Sequence, residues 1–297
     1  MMRLLQYTGF LLAIVAIGAA ESVAAAQAES QDKPATPAQQ YQALLKEFDD
    51  AAHTFWQATT DEERNKSVAR VEKLPRRLLD LAQNNPKDPI ALDALIQVVT
   101  QEYWLNTHTS HAGWGKDSPQ ASAIALMLRD HLDSDRLGEA CNRIHYGFRQ
   151  ECETFLRRVL EKSPHREVQG LACLRLAQFL PIRLERLDLL KNQAELARRY
   201  EGLYGKDYLE ALSRQDRAKV MKEAETFYEQ AVEKYGDVKT PYDGTVGETA
   251  KTELFETRHL AVGKEAQDIE GVDQDGEQFK LSDYRGKVVL LYFWSEF

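Results

Sequence analysis

Residues 262–297 read VGKEAQDIEGVDQDGEQFKLSDYRGKVVLLYFWSEF, and this stretch decides the fold. Asp268 to Val272 reads as a short extended segment. Asp275-Gly276 is a turn pair, because glycine tolerates the positive φ that tight hairpins need. Gln278 to Leu281 can run back as the second hairpin strand. Ser282 then reads as the N-cap of one helical turn, Asp283-Tyr284-Arg285, ended by Gly286. Val288 to Phe293 is apolar on both alternating faces and rich in β-branched and aromatic residues. That pattern predicts a central strand covered on both sides, as in a parallel α/β sheet. Such a strand needs neighbours on both edges and layers on both faces.

The stretch resembles the opening of exported thioredoxin-like thiol–disulfide oxidoreductases of the TlpA/ResA-like group. More loosely, it resembles the related alkyl hydroperoxide reductase/thiol-specific antioxidant family. Leu281-Ser282-Asp283-Tyr284-Arg285-Gly286-Lys287 matches the turn before the family's first long strand. Phe293-Trp294-Ser295-Glu296-Phe297 matches the segment before its first cysteine. The resemblance therefore implies a Cys-x-x-Cys directly after Phe297, flanked by Trp294, Ser295, Glu296 and Phe297, and no catalytic residue within the chain. It implies a thiolate at a helix N-terminus, activated by the positive end of the dipole, and a second cysteine that resolves the mixed disulfide. The chain departs from the family at Gln267 (usually Pro), at Tyr292 (often a buried Asp or Asn) and at Phe297 (usually a second Trp).

Working back to the start, Met1 to Ala28 reads as a secretory signal peptide. Arg3 gives a basic n-region, Phe10–Ile17 an apolar core, and Ala24-Ala25-Ala26 and Ala26-Gln27-Ala28 offer cleavage sites. The apolar run is shorter than the roughly 20 residues a membrane span needs, and no later segment can span, so no stable membrane span is expected after cleavage. Residues 29–38 are polar, carry Pro34 and Pro37, and read as a linker. The formal net charge of −9 and the lack of a basic block disfavour nucleic-acid binding.

Residues 39–260 have helical periodicity. Tyr41, Leu44, Leu45, Phe48, Ala52, Phe55 and Trp56 form one apolar stripe. Thr60 begins a second element with Asp61-Glu62-Glu63 in its first turn, favourable to the helix dipole, and Pro75 interrupts it. A helix–turn–helix layout recurs at Leu78–Val99, at Arg157–Leu180 and, more loosely, from Tyr228 onward. This predicts a tetratricopeptide-like stack or an irregular helical bundle. Ile182–Tyr204 reads as a separate long charged helix, and Asp207–Glu233 as further helix.

Three cysteines lie in the body. Cys141 and Cys152 flank a turn-like stretch with Gly147, a spacing that allows a structural disulfide in an exported chain. Cys173 sits among leucines and reads as a buried core thiol. His108 and His111 lie in a loop-like stretch with no third ligand, so no metal is expected. No cofactor is expected.

Together these readings predict a mainly α chain: signal peptide 1–28, linker 29–38, helical domain 39–260, and the first hairpin and strand of a truncated thioredoxin-like α/β domain at 261–297. By resemblance the complete protein exchanges thiols and disulfides with protein substrates in the periplasm or cell envelope. This chain would then be a fragment, because an exposed apolar central strand is an aggregation liability, and a catalytically inactive one, because it lacks the cysteine pair. Two alternatives are kept: a cell-envelope helical module that binds a protein partner, and a peroxiredoxin-like peroxide reductase.

Overall fold

The computed structural model describes residues 34–109, 117–241, 244–260, 264–273 and 275–292. Residues 1–28, expected to be a signal peptide, and the first half of the expected linker, 29–33, lie outside these residues. Helices dominate, in two compact units that divide inside one helix between Ala94 and Leu95.

In the first unit, α1 (Pro37–Gln57) starts inside the expected linker. Thr36 caps it through a capping box with Gln39, and Pro37 supplies a pre-set φ at the first position. Tyr41, Leu44 and Ala51 are its buried face, whereas Trp56, assigned to that stripe by periodicity, is 63 % exposed. Thr60 caps α2 (Asp61–Val71) through a capping box with Glu63. In α3 (Leu74–Asn84), Pro75 sits in the first turn, where its missing N–H is harmless. Both helices pack on α1, and Leu74, Leu78, Leu81 and Ala82 are buried.

The dividing helix is α4 (Ile90–His108). From Ala91 to Leu105 it is buried on most sides. The helix includes His108, which the sequence placed in a loop.

The second unit contains α5 (Pro119–Asp130), α6 (Leu137–Ile144), α7 (Gln150–Lys162), α8 (Arg166–Asn192), α9 (Ala194–Tyr204), α10 (Lys206–Ser213), α11 (Arg217–Tyr235) and α12 (Val246–Phe255). A π turn, Glu256–Leu260, follows α12. The hub is α8, about 40 Å long at 1.5 Å per residue; α6, α7, α9, α11 and α12 all pack against it. The expected boundary between Leu180 and Ile182 is absent, and the helix runs through Pro181 to Asn192. An interior proline costs about 3 kcal/mol. Phe179, Leu180, Leu184 and Leu187 are buried around it, and each side chain of this size contributes about 1.5–3 kcal/mol on burial. Packing therefore outweighs the proline.

Among the described residues, two of the cores form on the hub. One joins Cys173, Leu174 and Ala177 of α8 to Tyr228, Ala231 and Tyr235 of α11 and to Val246 and Ala250 of α12. Here Gly247 lies against Gly236 so closely that a Cβ would fall 2.7 Å from the Gly236 Cα. The other core centres on Phe148, whose ring meets Tyr200, Tyr204 and Tyr208 at 5.0–6.1 Å between centroids. The paired layout recurs at α7–α8 and α11–α12, but convergence on one long helix makes the second unit an irregular array.

Among the described residues one sheet is present, the antiparallel pair β1 (Glu270–Val272) and β2 (Gln278–Lys280). Its register pairs Glu270 with Lys280, Gly271 with Phe279 and Val272 with Gln278.

Candidate functional site

The hairpin forms where the sequence placed it. Gly276 takes φ +84°, and Asp273 closes the turn, its carboxylate accepting from the backbone N–H of Asp275 and Glu277 at 2.9 Å. Phe279 lies over Gly271, where a Cβ would fall 3.1 Å from the ring. A 3-10 turn, Leu281–Tyr284, follows, and Gly286 at φ +82° ends the segment.

Ser282 is not the cap of that turn. The Asp283 carboxylate accepts from the Lys280 N–H instead. Ser282 is turned to the start of the hairpin, donating both its N–H and its hydroxyl to the Asp268 carboxylate at 2.8 Å. These bonds, the backbone N–H first, hold the Asp268 carboxyl below the ordinary carboxylate range. The clasp links residues 14 apart, and no local pattern in the sequence announces it.

The predicted central strand is not formed across Val288–Tyr292. Val288 is fully exposed, Leu290 is 91 % exposed and Tyr292 81 %. The physical reason is simple: a strand needs a hydrogen-bonded neighbour and a covering layer, and among the described residues neither is present for this run. None of the described residues from 264 to 292 is buried. A two-stranded hairpin without a covering layer is marginal in water, so this segment is a scaffold without a core. Trp294, Ser295, Glu296 and Phe297, expected to flank the reactive cysteine, lie outside the described residues.

The chain's own thiols are placed against redox work. Cys141, Cys152 and Cys173 are free and fully buried. The disulfide anticipated between Cys141 and Cys152 is not formed. The Cys152 thiol lies 3.9 Å from the Gln120 side-chain oxygen and beneath Gly147, while Cys141 is packed inside α6. Cys173 donates to the Phe227 carbonyl at 3.3 Å, in the core where the sequence put it. Burial pushes all three thiols up from 9.0 to about 12. A thiolate is the nucleophile in disulfide exchange, and none of these residues supplies one near neutral pH.

His108 stacks on Trp104, and its Nδ1 lies 3.1 Å from the Trp104 carbonyl; His111 is outside the described residues. No group of three or more His, Cys, Asp or Glu suited to a metal occurs among the described residues. No helix among them is long and apolar enough to cross a membrane.

Comparison with known families bears on the C-terminal stretch. Residues 262–297 match the AhpC/TSA family model. Comparison of the chain with curated proteins and with solved structures gave no match. The AhpC/TSA match supports a thioredoxin-like assignment for these residues, and it covers the hairpin, the Asp268–Ser282 clasp and the uncovered apolar run. It does not extend to the helical units.

Proposed function

We propose that residues 262–297 open a thioredoxin-like domain of the TlpA/ResA-like kind, and that the complete protein exchanges thiols and disulfides with protein substrates in the cell envelope. The uncovered run Val288–Leu291, lying inside the AhpC/TSA match, carries this reading. It has the composition of a strand buried on both faces and lies bare in solvent. The remainder of a thioredoxin-like sheet would cover it and bring the Cys-x-x-Cys that the chain lacks. On this reading the chain is the inactive front part of an exported enzyme, its N-terminal 28 residues the export signal.

The family match favours one rival, a peroxide reductase, since that chemistry is carried on the same family's scaffold. Trp294 weighs against it, because peroxiredoxins usually place a proline-containing loop before their cysteine.

The test is to sequence the DNA downstream of codon 297, express the chain with any in-frame extension, and assay reduction of a protein disulfide and consumption of peroxide. An in-frame Cys-x-x-Cys with disulfide reduction is the expected outcome. Peroxide consumption without disulfide reduction would move the assignment to the rival. A stop codon, or an extension active in neither assay, would overturn the redox reading and leave the helical units as the working part.

A further inference from the structure

No further inference is drawn: the strongest candidate, the exposed apolar patch of Phe255 and Leu260 at the end of α12 and its π turn, carries nothing because nothing in the structure shows what covers it.

Discussion

Glu102→Ala is expected to destabilise the protein by about 3–5 kcal/mol, the usual cost of removing one partner from a buried ion pair. Glu102 is 1 % exposed and accepts from three donors: the Ser118 hydroxyl, 2.7 and 2.9 Å from its two oxygens, the Gln120 N–H at 2.9 Å, and Arg149 Nη2 at 3.4 Å. Ser118 in turn caps α5, so the carboxylate also fixes the start of that helix. It lies where the positive end of the helix dipole favours it. Its removal leaves the Arg149 guanidinium, 6 % exposed, without its carboxylate. Glu102→Gln keeps an acceptor for Ser118 and should cost less. Urea denaturation should move the midpoint down with the slope unchanged. A loss under about 1 kcal/mol would place the network among weak surface pairs.

The second large effect is in thiol chemistry. With pKa values of about 12, the thiolate fraction at pH 7 is on the order of one in 100,000. Native protein should give no reaction with an aromatic disulfide reagent on the timescale that labels an exposed cysteine within seconds. Unfolding in guanidinium should release three thiols. One thiol in denaturant would mean that Cys141 and Cys152 are bridged after all, as their spacing suggested. The same burial makes stability depend on pH. The folded pKa of each thiol lies above its unfolded value of 9.0. Their contribution is therefore complete below pH 9 and is lost as pH rises from there through about 12.

How far the sequence could be read depended on the range of the interaction. Local rules carried well: Thr60 with Glu63 began a helix as its acidic first turn indicated, and Gly276 and Gly286 took the positive φ expected of them. Local rules failed where burial outweighed them. Periodicity ends one helix at Leu180 and begins another at Ile182, but α8 runs through Pro181 between them because apolar side chains on both sides of the proline are buried. Ser282 reads as a cap, but Asp268 takes both its donors. The polar contacts that matter most were not legible. Arg149 meets Glu102 across 47 residues and Gln178 meets Glu253 across 75, and nothing in the intervening sequence marks either pair. The C-terminal stretch gave its class through its motif, yet its strand could not be realised, since the edge such a strand needs is supplied by tertiary structure rather than by composition.

Amide hydrogen exchange on the chain itself tests the central claim most directly: that Val288–Leu291 has the composition of a sheet strand but is neither paired nor covered. The account predicts near-random-coil exchange at these four residues, modest protection in the β1–β2 hairpin, and strong protection in α7 and α8. Protection of Val288–Leu291 at the level of α8 would mean that the run is already paired and enclosed, and would contradict the thioredoxin-like reading at its base.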